Sequence, residues 1–261
     1  MQHSITQPKV SPAAAAATGV VFDSAVRVLG GRRVLEGVTL HVPAQARVAI
    51  VGRSGAGKST LLSLAAGLAD PDEGSVAVGG AVDATGRLSR CALMPQRDCL
   101  LPWRTALDNA TLALENAGAS RREARARAAP VFGRLGLAGA ERQRPAKLSG
   151  GMRQRVAFLR TLLADKPVLL LDEPFGALDA ITRAELQEWL AQVLAGEPRT
   201  ALLVTHDVEE ALLLADRVFV LGAGRITAEL EVDVPRDAPR REVVTSPEFL
   251  ELRESALEAI A

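Results

Sequence analysis

Neither sign of charge predominates in this sequence: 31 lysines and arginines balance 31 aspartates and glutamates over 261 residues. No global field is therefore expected to recruit nucleic acid or an anionic membrane. Cysteine is almost absent, with only Cys91 and Cys99. Two cysteines make no disulfide framework, and without a secretory signal they are expected as free thiols in a reducing compartment. No apolar run approaches the roughly 20 residues that a bilayer-spanning helix needs. Runs such as Val168–Leu171 have the length of a buried strand, so the chain is expected to be cytosolic unless a partner holds it at a membrane. Residues 1–18 lack both a basic leader and a Leu/Val-rich apolar stretch. They mix Gln, Ser and Pro with the run Ala13–Ala17, which predicts a disordered tail rather than a signal peptide.

What is present is ordinary globular composition, 48% hydrophobic and 24% charged, in a chain long enough to bury a substantial core. Val20–Phe22 and Ala25–Leu29 read as strand, Gly30-Gly31-Arg32 as a turn, and Val38–Val42 as the next strand. Asp70–Gly74 is a turn; Ser75–Val82 and Cys91–Met94 are short strands. From Thr105 to Leu137 the pattern becomes helical, with Ser120 and Glu123 spaced as a capping box. The arginines of Ser120–Ala129 share their helix with Glu123 and lack interleaved aromatics, so they read as a solvated face. Further on, Met152–Ala164, Ile181–Leu194 and Glu209–Ala215 read as helices. Val168–Asp172, Ala201–Thr205 and Val218–Leu221 read as strands. This alternation predicts an α/β fold with a mostly parallel sheet, into which a helical subdomain of about residues 100–148 is inserted. No internal repeat is present.

The stretch Arg47–Leu64, RVAIVGRSGAGKSTLLSL, organises the chain. Gly52, Arg53, Ser54, Gly55, Ala56, Gly57, Lys58 and Ser59 match G-x-x-x-x-G-K-[ST] between a predicted strand and a predicted helix, the context this pattern requires. Glycines at 52, 55 and 57 let successive N–H groups face an anion, and the helix adds the positive end of its dipole. Lys58 is the expected charge on the β- and γ-phosphates, and the Ser59 hydroxyl a ligand for Mg²⁺. The candidate nucleotide-binding set runs from Gly52 through Thr60.

Two further motifs carry chemistry. In VLLLDEP, Val168–Pro174, a parallel strand ends in two acids at the carboxyl edge of the sheet. There Asp172 is expected to hold Mg²⁺ through its water shell, and Glu173 to orient or deprotonate an attacking water. In LSGGMRQRV, Leu148–Val156, Ser149, Gly150 and Gly151 precede a helix and make another anion-binding N-terminus.

With these motifs in this order, the chain from about Gly19 to Arg225 resembles the ATP-binding subunits of ABC transporters. Leu148–Gln154 matches the family's signature sequence. The resemblance implies a P-loop NTPase core with a mostly parallel sheet, an antiparallel β region and an inserted helical subdomain. It would span residues 19–228, with a C-terminal extension at 229–261. It implies that Gln96 touches the Mg²⁺ and water site and senses the membrane subunit. Asp179, in Ala177-Leu178-Asp179, would communicate across a dimer, and His206 would contact the γ-phosphate. It further implies ATP hydrolysis with Mg²⁺ by a homodimer. Each ATP would lie between the phosphate loop of one chain and Ser149-Gly150-Gly151 of the other. The partners implied are transmembrane permease subunits and, indirectly, a substrate-binding protein, with no nucleic acid. The location implied is peripheral, at the cytoplasmic face of the inner membrane.

Two departures from the family pattern stand out. The aromatic that usually stacks on adenine is replaced at the equivalent position by Leu29, and the chain contains no tyrosine at all. The glycine usually found before the phosphate-loop strand is Ala46. The segment Gln96–Thr105, QRDCLLPWRT, resembles the importer branch for nitrate, sulfonate, taurine and related solutes. There Trp103 either lines the groove that docks the permease or belongs to the core of the helical subdomain. The alternatives are an exporter or lipoprotein-releasing ATPase, or an importer of a pyrimidine or thiamine precursor.

Overall fold

The computed structural model describes residues 18–176, 178–196, 199–235 and 238–260. The tail expected at 1–18 lies outside them except for its last residue, Thr18, which opens the first strand. Among the described residues the strands are β1 (Thr18–Leu29), β2 (Arg32–Pro43), β3 (Arg47–Val51), β4 (Glu73–Val78), β5 (Cys91–Met94), β6 (Val168–Asp172), β7 (Thr200–Thr205), β8 (Arg217–Gly222) and β9 (Arg225–Glu231). The helices are α1 (Lys58–Ala65), α2 (Ala84–Arg90), α3 (Ala106–Ala110), α4 (Leu112–Asn116), α5 (Arg121–Arg134), α6 (Gly150–Leu162), α7 (Ala180–Ala195), α8 (Val208–Leu214), α9 (Arg240–Val244) and α10 (Pro247–Ile260).

A six-stranded sheet, ordered β5-β6-β7-β3-β8-β9, is parallel except for its last strand. Its central strands are apolar on both faces, and their period-two alternation splits the core in two. Val48, Ile50, Leu170, Leu202 and Phe219 face one layer, with α1 and the three-stranded antiparallel sheet β2-β1-β4. Ala49, Val51, Leu171, Leu203 and Val220 face the other, with residues of α6, α7, α8 and α10. Each such fully buried aliphatic side chain contributes roughly 1.5–3 kcal/mol of transfer free energy.

The helical insert is broken rather than continuous. The single pattern expected from Thr105 to Leu137 divides into α3, α4 and α5, with Gly118 at φ +96° before the last. Ser120 and Glu123 form the expected capping box at the start of α5. Three elements escaped the sequence pattern: α2, β9 and the short helix α9. The helix α2, ATGRLSR, has no apolar periodicity, because the one side chain it buries is Arg87. Strand β9 alternates only between partly buried and exposed positions, as befits a sheet edge. The strand expected over Ser75–Val82 stops at Val78, where Gly79 and Gly80 turn the chain with positive φ. The domain boundary drawn at residue 228 falls inside β9. Past it, α10 buries Phe249 and Ala256 completely and packs on α8, β8 and β9.

The two thiols sit in opposite surroundings. Cys91 is buried, its Sγ 3.4 Å from the Ala65 carbonyl oxygen, and burial pushes the thiol pKa up to about 12. Cys99 is exposed.

Arg87 is 1% exposed and closes the end of the phosphate-loop helix. Its guanidinium donates to the carbonyls of Leu64 (2.9 Å), Ala69 (3.0 Å) and Val82, and to the Asp70 carboxylate at 2.6 Å. A planar fork with five donors can satisfy these acceptors at once; an ammonium cannot. Arg87→Lys is expected to lower the unfolding free energy by about 2–3 kcal/mol, because buried acceptors lose their donors. Denaturant unfolding followed by circular dichroism measures this.

Candidate functional site

The parallel order β6-β7-β3 brings three strand ends to one edge of the sheet, and each delivers part of the site. From β3 the chain enters the loop 52–57, where two glycines are required sterically. A Cβ at Gly52 would meet the Leu221 carbonyl oxygen at 2.3 Å. At Gly57, with φ +107°, it would meet Leu35 at 2.8 Å and the Val34 carbonyl oxygen at 2.9 Å. Lys58 begins α1 and is only 5% exposed. Its Nζ donates to the carbonyls of Gly52 (2.8 Å) and Arg53 (3.2 Å) and lies 3.7 Å from Glu173 Oε1. Ser54, Gly55, Gly57, Lys58, Ser59 and Thr60 line a cavity of about 300 Å³ that also reaches Val34, Gln96 and Glu173. Ala56 closes the loop's turn, its N–H donating to the Arg53 carbonyl at 3.1 Å.

From β6 come the two acids. Ser59 Oγ donates to Asp172 Oδ1 at 3.1 Å. Burial pushes the Asp172 carboxyl above its usual range, with the Glu173 charge adding to it and Ser59 and Lys58 opposing. Glu173 continues the ladder, its N–H bonded to Val204 O at 2.9 Å, but at φ +42°. A non-glycine residue in that region stores local strain, which persists only where its surroundings hold it. Its surroundings are the other site residues. Gln96 Nε2 donates to Glu173 Oε2 at 2.9 Å, and His206 Nδ1 lies 3.3 Å from the same oxygen. Lys58, Gln96 and His206, from three different segments, thus converge on one carboxylate.

The remaining expected residues lie elsewhere. Ser149 caps α6, its Oγ accepting from Met152 N at 3.2 Å, and neither it nor Gly150 nor Gly151 lines the phosphate-loop cavity. Gly150 instead lines a separate cavity of about 500 Å³ with Gln96, Asp98, Arg153, Gln154 and Leu178. Asp179 caps α7, accepting from Thr182 N at 3.0 Å, and the backbone N–H groups at that helix start hold its carboxyl below the usual range. Ala177, beside it, lies outside the described residues. Leu29 ends β1 at 46% exposure and does not line the phosphate-loop cavity, whereas Val34 does. No motif marks Val34; its tight approach to Gly57 is a tertiary contact. Trp103 is 67% exposed, so it is not core of the helical insert.

Sequence reasoning also missed the support beneath His206. Glu210 of α8 is 3% exposed, and its Oε2 accepts from Thr205 Oγ1 at 3.0 Å. Its carboxyl pKa is pushed up to about 8, first by burial and then by the Asp207 charge. Arg183 and the Thr205 hydroxyl oppose the rise, and the Glu173 charge adds to it.

The sequence and the fold also match known proteins. The ABC transporter family matches residues 35–176, more than half of the chain. This chain belongs to that family. As an ABC transporter subunit it is 46% identical over 220 residues to "Aliphatic sulfonates import ATP-binding protein SsuB 1" of Mesorhizobium japonicum, covering 84% of this chain and 81% of that one. It is 45% identical over 222 residues to "Formylaminopyrimidine import ATP-binding protein ThiZ" of Halalkalibacterium halodurans, covering 85% and 86%. Among solved structures, the dimeric ATP-binding cassette MJ0796 bound to ADP and Pi matches with a TM-score of 0.72 at 29% identity, over 82% of this chain and 99% of that one. The fold is thus that of an ABC cassette, with its antiparallel sheet and mostly parallel sheet in place.

For this ABC subunit the buried Glu210 makes stability depend on pH. Its folded pKa of about 8 lies above the usual glutamate value of 4.5, so the folded state holds this proton more tightly. The resulting stabilisation is complete below about pH 4.5 and is lost as pH rises through about 8. Glu210→Gln, which cannot ionise, is expected to escape that loss. Thermal melts from pH 5 to 9 should show the variant gaining on the parent steadily up to about pH 8 and no further above it, at roughly 2–4 °C per kcal/mol.

Proposed function

We propose that this chain binds and hydrolyses ATP as one half of a homodimer and drives an importer of aliphatic sulfonates or related small solutes. The convergence of Lys58, Gln96 and His206 on Glu173 carries the hydrolytic part. A carboxylate at a cavity edge with three fixed polar neighbours is preorganised to hold a water and take its proton, and little reorganisation is left for the reaction. Lys58, held over the loop by two carbonyls, supplies the charge for the β- and γ-phosphates. His206, half-exposed at the site's rim, is the group for the γ-phosphate.

The donors also fit a magnesium ion. The Ser59 hydroxyl, the Asp172 carboxylate and the Gln96 carboxamide are hard oxygen donors of the kind this ion takes. The buried Asp172, whose carboxyl is disfavoured as an anion, gains from a neighbouring cation. Ser59, Asp172 and Gln96 would hold the ion, which when bound neutralises charge on the phosphates.

The dimer supplies the second half of each site. Ser149-Gly150-Gly151 at the N-terminus of α6 lie apart from the chain's own phosphate cavity. Placing them on the partner's nucleotide gives the far side of the γ-phosphate its donors, with the Asp179 loop carrying the signal across. The exposed Trp103 and the cavity at Gln96 suit docking of a permease subunit, which holds the chain peripherally at the cytoplasmic face of the membrane. A substrate-binding protein delivers the cargo to that permease. The sulfonate assignment is supported by relatives bearing that name, including one 50% identical over 207 residues from Rhodococcus jostii. The formylaminopyrimidine relative supports a pyrimidine precursor as the second reading. Uptake of each solute by the reconstituted complex, with ATP inside, separates them.

Two outcomes are expected from this site. Glu173→Gln should retain ATP binding and lose at least 10²-fold in turnover, as removal of a general base does; wild-type turnover in that variant would remove Glu173 from the role. With Leu29 as an aliphatic contact, which offers no hydrogen bond to a base edge, ATP and GTP should bind within about tenfold of each other, about 1.4 kcal/mol. Competition binding measures the ratio, and a strong ATP preference would mean that another residue reads the base.

A further inference from the structure

His206 occupies the turn between β7 and α8 with its side chain 52% exposed. Such a side chain keeps its place only if the backbone on either side is fixed. Thr205, 1% exposed, uses its hydroxyl twice: Oγ1 donates to Glu210 Oε2 at 3.0 Å and accepts from Asp207 N at 3.0 Å. Asp207 Oδ1 in turn accepts from Glu210 N at 3.1 Å. Both neighbours of His206 are therefore tied to residue 210.

This departs from the usual helix start. A glutamate three residues after an Asp cap ordinarily bends back to the cap's own N–H at the surface. Here the Thr205 hydroxyl takes that N–H, and Glu210 is drawn inward to reach the hydroxyl. The helix gains nothing from the change, and burying a carboxyl is costly. The cost is visible, since Glu210 Oε1 is buried with no hydrogen-bond partner among the described residues.

We propose, resting on the hydrolytic role assigned to His206, that Glu210 is a positioning residue. Through the Thr205 hydroxyl it holds His206 against Glu173.

The test is steady-state ATP hydrolysis by the full-length chain, with folding of each variant checked by thermal melt. Thr205→Val should lower kcat about tenfold with KM for ATP unchanged within twofold, since displacement of a catalytic group costs rate rather than ground-state binding. Thr205→Ser, which keeps the hydroxyl, should restore it. Glu210→Met, an apolar replacement of similar length, should lower kcat to the same extent, and the double variant should fall no further. A folded Thr205→Val enzyme with parental kcat, losses that multiply in the double variant, or a rise in KM alone would overturn the proposal. His206→Gln separates the two levels. If it is inactive while Thr205→Val is fully active, the positioning role fails alone; if it is fully active, the role of His206 fails with it.

Discussion

One carboxylate at the end of β6 is the constraint that the site depends on. Glu173 stands at φ +42°, outside the region that a glutamate backbone prefers, and at 13% side-chain exposure it has little water around it. Both conditions are costly, and both are offset by neighbours: the N–H bonded to Val204, and Lys58, Gln96 and His206 around the carboxyl. The sheet order makes this possible. Because β7 lies between β6 and β3, the acids, the histidine turn and the phosphate loop all emerge at the same edge. No loop needs to be long to reach the centre, so the geometry is inherited from rigid strands.

That rigidity has layers of its own. The central strands are apolar on both faces and fix the edge from below, while Arg87 pins the far end of the helix that begins at Lys58. The phosphate-loop helix is thus held at both ends, by Ser59 to Asp172 at its start and by the guanidinium at its finish. Polar contacts of this kind contribute only modestly each, but losing one leaves a buried group unsatisfied, and that penalty is what keeps the arrangement in place.

Much of this was legible in the sequence, and the parts that were not share a cause. Strands β3, β6 and β7 announce themselves as apolar runs, and Lys58, Asp172, Glu173, Gln96 and His206 come in an order that names their neighbourhood. Helix α2 and strand β9 were hidden because their burial falls on an arginine or is spread thinly along an edge. Glu210 reads as an ordinary surface residue of a short helix; only the fold turns it inward onto Thr205. Val34 of β2 comes up against Gly57 of the phosphate loop across two separate sheets, and Leu29 ends β1 outside the phosphate-loop cavity. Local pattern reveals what local chemistry needs, and contacts built from distant segments have no local signature.

The contrast between the two cysteines turns the native chain into its own reporter. Cys91 is walled in, with its thiolate suppressed by burial, and a thiol in that state scarcely reacts with maleimides or alkylating reagents. Cys99 is exposed three residues beyond Gln96, on the rim of the cavity that Gln96 lines. A single dye or spin label can therefore be placed there without altering the sequence. Its signal would follow the segment that joins the reacting centre to the helical insert, in the unmodified protein and in real time.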